Sequence, residues 1–402
     1  MFKATITAMQ RGIIILLTLL LCLPLAACTK EPPAPAIHTT SVLRSGSTSM
    51  FEYGNFVYFS RGEIFRYNTV TGELTSACLD AECDGKCPLH GGMTRIGMIE
   101  DGKMYFYSFA AFTHEINLGY QDLISGGVTV LETLSQYEMT NDLTFVNNGY
   151  FYYYAGILKD GGDPKNYEDY ESRLCRIPVT GGEREVLETP KGYPLFIIDG
   201  KLILNGSTVS VYDLDTKLEK VVWNYSADGF TNVGDVSYVG GRLYMIAKVP
   251  AGNAETVFDQ YKKVEYAKNT FLVSVDISTG EWAKVTEEPV ESYTLTDDRV
   301  YYFPSEVRHL YVPENYGKRL EDICVSFIGA TLHSRKLDGS DPRNEYTNEN
   351  FYTCYDYTVI DGKLYGIVSF FDEAKKKSSD SGFAAIDLIN GTVIGTYDVR
   401  RK

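Results

Sequence analysis

A short turn flanked by alternating apolar residues is written seven times along this 402-residue chain, and it constrains the fold more than any other feature. The copies are Tyr53-Gly54-Asn55, Asp101-Gly102-Lys103, Asn148-Gly149-Tyr150, Asp199-Gly200-Lys201, Gly240-Gly241-Arg242, Asp297-Asp298-Arg299 and Asp361-Gly362-Lys363. Asp-Gly, Asn-Gly and Gly-Gly supply the positive φ angles that a tight β-hairpin requires, and the Val, Ile, Leu and Tyr residues on either side alternate as strands do. Counted from the turn glycine or its equivalent, the intervals are 48, 47, 51, 41, 57 and 64 residues. A second hairpin follows, turning at Thr71-Gly72, Gly181-Gly182, Asp215-Thr216, Thr279-Gly280, Asp338-Gly339 and Asn390-Gly391, with a weaker copy at Gly126-Gly127. Two hairpins per repeat make four strands. A β-only period near 50 predicts an all-β chain folded as a seven-bladed β-propeller over residues 38–402, rather than two smaller sandwiches, because the period continues without a linker. Thr39 to Leu43 is expected to add an outer strand near the ring closure.

The first residues read differently. Lys3 and Arg11 precede an apolar run from Gly12 to Leu25 broken only by Thr18, too short to span a bilayer comfortably and of the length of a signal-peptide core. Leu25-Ala26-Ala27-Cys28 follows and resembles the lipobox of bacterial lipoproteins, in which the cysteine is diacylated and becomes the mature N-terminus. The resemblance implies a lipoprotein signal peptide over 1–27. Over 28–37 it implies a lipidated Cys28 and a Pro-rich tether, which would anchor the chain on the extracytoplasmic side of the cell membrane.

Composition narrows the partners. Without the leader, 36 Lys and Arg face 53 Asp and Glu, a net charge of −17 that repels nucleic acid and anionic lipid. The 31 Tyr residues suit half-buried strands, where the ring packs and the hydroxyl reaches water. In an up-and-down blade the first and third turns lie at one end of the sheet, and the second turn and the link to the next blade at the other. The short turns all fall in the first group, so one face of the disc is trimmed. Lys159 to Glu171, Asn253 to Ala267, Pro304 to Ile328 and Asp372 to Asp380 fall on the opposite face. Asn253 to Ala267 is expected to form a short amphipathic helix. Loops on a rigid scaffold are where binding sits. Tyr167, Tyr170, Tyr261, His309 and Tyr316 are the candidate binding face.

Cys78, Cys83, Cys87 and His90 form a compact cluster, Cys-x4-Cys-x3-Cys-x2-His, in the Cys-rich loop 78–90 between the first two blades. Three thiolates and an imidazole can close a tetrahedral zinc site. An exported protein can equally hold a disulfide among the three, or one to Cys175, Cys324 or Cys354. Either way the cluster is expected to be structural rather than catalytic. Cys175 and Cys354 sit in strand-like apolar contexts that suit buried small hydrophobes.

Cys78-x-Asp80-x-x-Cys83 followed by Cys87-Pro88, directly after a Thr-Gly-Glu hairpin and behind a lipobox, resembles a group of uncharacterised propeller lipoproteins of Gram-positive bacteria. The segments 174–182 and 335–340 are also similar to Tol-type and low-density-lipoprotein-receptor (YWTD-like) propellers. The resemblance brings no established activity with it.

The chain has no Gly-x-Ser-x-Gly, no phosphate-cradling loop, no dinucleotide fingerprint and no His-Glu-x-x-His. The expected function is a membrane-anchored extracytoplasmic binding module for a protein or glycan, with no cofactor beyond a structural zinc. The alternative is a secreted polysaccharide hydrolase or lyase with carboxylates drawn from several blades. Convergence of carboxylates at the central channel separates the two. For the anchor, a fatty-acid analogue fed to the producing cells should label the wild-type chain and not Cys28→Ala. Equal labelling of both, or of neither, removes the lipidation.

Overall fold

Alternation in the strands gives each sheet two apolar faces. Along Tyr150–Leu158, Phe151, Tyr153 and Ala155 pack towards the preceding sheet, while Tyr152 and Tyr154 pack towards the following one. A sheet of this kind must be covered on both sides, and only neighbours of the same kind are on hand. The solution is a ring. The computed structural model describes residues 43–44, 50–79, 83, 85, 87–90, 93–110, 114–188, 192–250, 255–256, 265–266, 269–311 and 324–397. Within them lie seven antiparallel meanders, each with a four-stranded path.

Blade 1 runs from Phe51–Tyr53 to Leu74–Ser76, blade 2 from Met93–Glu100 to Val128–Ser135 and blade 3 from Met139–Asn147 to Glu185–Val186. Blade 4 runs from Tyr193–Ile198 to Glu219–Trp223 and blade 5 from Asn232–Val239 to Trp282–Lys284. Blade 6 runs from Val290–Leu295 to Arg343–Thr347 and blade 7 from Phe351–Ile360 to Thr392–Tyr397. The first strand of each blade is innermost. The core is divided accordingly: seven apolar clusters lie one at each blade-to-blade interface.

The first turns carry the left-handed backbone that the sequence demands, as at Asp101 (φ 48°) with Gly102 (φ 72°) and Asp361 (φ 48°) with Gly362 (φ 71°). The third turns share another device. Asn68, Asp122, Asp213, Asp276 and Asp387 each end a third strand and accept two backbone N–H groups from the turn that follows. At Asp276 the Ser278 hydroxyl (2.6 Å) joins the N–H groups of Thr279 and Ser278, and together they hold the carboxyl down to about 2.

Three expectations need correction or qualification. The edge strand Leu43–Arg44 is not at the ring closure. It pairs antiparallel with Tyr238 and Ser237 of the innermost strand of blade 5, whose channel-side edge otherwise has no ladder partner. At the ends of the segment expected to be an amphipathic helix, Glu255–Thr256 pairs with Glu265–Tyr266 as a two-stranded ladder, while Val257, Tyr261 and Val264 between them lie outside the described residues. Pro304 to Ile328 is in part regular: the strand Arg299–Tyr311 runs on past the blade, and Cys324–Ile328 pairs back onto it. The leader, Cys28 and the tether lie outside the described residues. Among those described, no helix is long and apolar enough to cross a membrane.

The ring closes without a shared strand, since blades 1 and 7 are each built from one continuous stretch of chain. Among the described residues, side chains join them. Phe59 and Phe383 stack with centroids 4.5 Å apart and planes 4° from parallel, Tyr67 lies 5.1 Å from Phe383, and the Tyr397 hydroxyl donates to the Gly72 carbonyl at 2.8 Å. Phe383→Ala should therefore cost about 3–5 kcal/mol, and Tyr397→Phe about 1 kcal/mol, in urea unfolding followed by fluorescence. A loss below about 1 kcal/mol for Phe383→Ala would show that the closure does not hold the ring.

Candidate functional site

The innermost strands crowd the propeller axis, and most of them relieve the crowding with a β-bulge. Register shifts interrupt the pairing of the first two strands in blades 2 to 7. In blade 2 the extra residue is Gly97, where a Cβ would meet Thr144 Oγ1 of blade 3 at 2.1 Å, so no side chain fits. In blades 5, 6 and 7 the bulges contain an acidic residue instead: Asp235 (φ 48°), Glu291 and Asp356 (φ 52°). A bulge re-aims its side chain out of the pleat. Here that turns three carboxylates from successive blades into one cavity.

The cavity has a volume of about 380 Å³, in the range of small-molecule sites. Its polar lining includes Asp235, Ser237, Glu291 and Asp356, and its aromatic lining includes Tyr293, Phe327, Tyr352, Tyr355 and Tyr357. One wall is the hairpin that rises from blade 6. Arg308 fixes that wall, donating to the carbonyls of Ile328 (2.8 Å), Glu349 (3.0 Å) and Phe351 (2.7 Å). Ser326 adds a bond to the Tyr352 carbonyl at 2.7 Å. The Tyr293 hydroxyl bonds the carbonyls of Asp235 and Tyr244, the latter at 2.7 Å, and so pins the bulge of blade 5.

Asp235 and Glu291 open onto channel solvent but are ringed by the inner strands. Desolvation raises the Asp235 carboxyl above its ordinary range. Desolvation also raises Glu291, with the Asp235 charge adding to it and a hydrogen bond from Ser305 (3.0 Å) opposing it. Two like-charged groups in one cavity, both biased towards protonation, make a region that favours cations or hydroxyl donors.

Of the candidate binding tyrosines, the two described ones, Tyr167 and Tyr170, do not line this cavity. Tyr167 is 55% exposed, and the Tyr170 hydroxyl is spent on the Pro164 carbonyl at 2.9 Å, within its own loop. Tyr261 and Tyr316 lie outside the described residues, and of His309 only the backbone is described, in the strand Arg299–Tyr311. Sequence reasoning did not single out Asp235, Glu291 or Asp356. The available signal was an acidic residue inside the otherwise alternating first strand of a blade.

Away from the channel, the cysteine loop does assemble as a unit. The ligand atoms of Cys78, Cys83, Cys87 and His90 all lie within 4.8 Å of one another. Cys87 Sγ is 3.7 Å from Cys78 Sγ and 3.2 Å from His90 Nδ1, and Cys83 Sγ is 3.5 Å from the same nitrogen. A backbone hydrogen bond from Gly85 draws the Cys83 thiol down to about 7, while burial pushes Cys87 up to about 12. Cys175 and Cys354 are buried thiols outside any disulfide, as their apolar contexts implied.

No protein-family model matches the chain. No curated protein matches it either. Solved structures do. Oligogalacturonate lyase from Vibrio parahaemolyticus is similar with a TM-score of 0.53 at 10% identity, over 84% of this chain and 93% of that one. A puromycin hydrolase is similar with a TM-score of 0.52 at 9% identity, over 92% of this chain and 57% of that one. TolB from Acinetobacter baumannii aligns at 11% identity over 74% of this chain and 60% of that one, with a TM-score of 0.38. At these identities the first two likenesses bear on the fold and on nothing of the chemistry.

The coupling between the two raised carboxyls is measurable. Asp235→Asn removes a like charge, so the Glu291 titration midpoint should move down, read by carboxyl carbon NMR of the labelled protein. An unmoved midpoint would separate the two groups electrostatically.

Proposed function

We propose that this chain is an extracytoplasmic binding module, anchored in the cell membrane through a lipidated Cys28, with its ligand seat in the channel-mouth cavity. The observation that carries the reading is the trio of acidic bulges, Asp235, Glu291 and Asp356, set among tyrosine and phenylalanine rings around about 380 Å³. Carboxylates accept hydrogen bonds from sugar hydroxyls or ammonium groups, and aromatic faces cover the apolar face of a sugar ring at modest entropic cost. The favoured ligand class is a neutral or amino-bearing glycan. An acidic glycan would meet like charge in the cavity and across a chain whose net charge without the leader is −17.

This reading moves the binding site from the tyrosines of the outer loops to the axis, on the face that also bears the long second-turn segments. A hydrolase or lyase acting on polysaccharide is the second reading. Its specific support is the raised Asp235 and Glu291 carboxyls, since a carboxyl shifted towards its protonated form is the direction a general acid requires.

The test is calorimetric titration of the mature chain with glucosamine oligomers, N-acetylglucosamine oligomers and oligogalacturonate, with chromatography of the sugars after incubation. The expected result is binding of one of the first two, weakened at least ~10-fold by Glu291→Gln and by Asp235→Asn, each loss being about 1.4 kcal/mol or more. The sugars should be recovered intact. Equal affinity of wild type and both variants removes the cavity from binding. Shortened or unsaturated products that vanish in Glu291→Gln would put the enzyme reading in its place.

A further inference from the structure

We propose that Cys78, Cys83, Cys87 and His90 hold one zinc ion, which staples the first blade to the second. The argument starts from separations. A tetrahedral zinc with sulfur at about 2.3 Å and nitrogen at about 2.0 Å places its ligand atoms about 3.5–3.8 Å apart. The observed 3.7, 3.5 and 3.2 Å match that spacing to within a few tenths of an ångström. A disulfide requires sulfurs about 2.05 Å apart. The sulfurs of Cys78 and Cys87 instead stand 3.7 Å apart, and His90 Nδ1 is in contact with the sulfurs of Cys87 and Cys83.

The histidine supplies a second, independent observation. Its Nδ1 faces the sulfurs, and its Nε2 lies 3.2 Å from Ser76 Oγ and 3.9 Å from a Glu63 carboxylate oxygen. A metal-bound imidazole characteristically engages an oxygen partner through its other nitrogen, which fixes ring and tautomer. Ser76 ends the last strand of blade 1 and also accepts the Cys78 N–H at 3.3 Å, so one hydroxyl orients two ligands.

The ligand set selects the metal. Three thiolates and one imidazole suit zinc in a closed site with no open position for substrate. Binding one Zn²⁺ displaces the thiol protons and leaves a site of net charge −1. The staple has something to hold: Leu89, 1% exposed, plugs the apolar cluster between blades 1 and 2, and the Pro88 carbonyl accepts from the buried Thr94 (3.1 Å) and Ser108 hydroxyls of blade 2. The ion would thus fix the link between the two blades, which carries its own short helical turn, Pro88–His90.

The test uses the full mature chain purified without chelator. Elemental analysis should return one zinc per chain. Replacement by Co²⁺ should give near-ultraviolet thiolate-to-cobalt charge transfer with the intense visible bands of tetrahedral coordination. Ser76→Ala leaves all four ligands in place and should lower zinc affinity about 10–100-fold in competition with a chromophoric chelator. Cys87→Ser should abolish the cobalt charge-transfer pattern; if that variant does not fold, the wild-type spectrum and the Ser76→Ala competition decide. A chain without metal and two hydrogens lighter than its sequence mass, three thiols that titrate freely, or iron in place of zinc would each overturn the assignment.

Discussion

Burial of both faces of every sheet is the constraint on which the rest of this structure depends. A strand pair such as Lys363–Asp372 with Gly382–Asp387 sends Tyr365, Ile367, Phe383 and Ala385 to one interface, and Leu364, Val368, Ala384 and Ile386 to the other. No blade can satisfy that alone, so stability is a property of the closed ring. The consequence is sharpest where chain ends meet. With no strand shared between blades 1 and 7, the Phe59–Phe383 stack and its tyrosine neighbours substitute for a ladder of hydrogen bonds. The same need suits tyrosine, whose ring packs an interface while its hydroxyl reaches an acceptor, as Tyr244 does at the Leu337 carbonyl and Tyr153 at Glu132.

Crowding at the axis turns that constraint into a site. Inner strands that follow one another around a narrow channel cannot all keep regular register, and bulges absorb the mismatch. Where the extra residue is glycine, as at Gly97, the bulge is only a fit between neighbours. At Asp235, Glu291 and Asp356 it delivers carboxylates to a common cavity. The hairpin from blade 6, tied down by Arg308 and Ser326, then walls that cavity off from bulk water on one side. Scaffold geometry and the charge of the cavity therefore share the same few residues, and a substitution at a bulge changes charge without removing core packing.

Packing logic runs out in the loop between blades 1 and 2. Its described residues offer the core little beyond Leu89 and the partly buried cysteines, and the polar contacts converge on Ser76, Pro88 and His90. Ordering such a loop costs backbone entropy that its modest burial does not offset, and a metal at the proposed site would offset it.

The seven turns, the period between them and the resulting all-β propeller were legible in the sequence, because they are local: Asp-Gly pairs fix φ, and alternation fixes which face is apolar. Clustering of Cys78, Cys83, Cys87 and His90 was legible for the same reason, four ligands within thirteen residues having little freedom to separate. The channel site was not. Asp235, Glu291 and Asp356 are spread over about 120 residues, and only the ring's curvature together with a bulge in each strand brings them to one cavity. Placement of Leu43–Arg44 beside Tyr238 was equally invisible, since an edge strand is recruited by whichever ladder is left unpaired, and that is decided by the assembled sheets. Local backbone chemistry thus determined the repeat and the fold, while long-range closure of the ring decided which polar residues face one another.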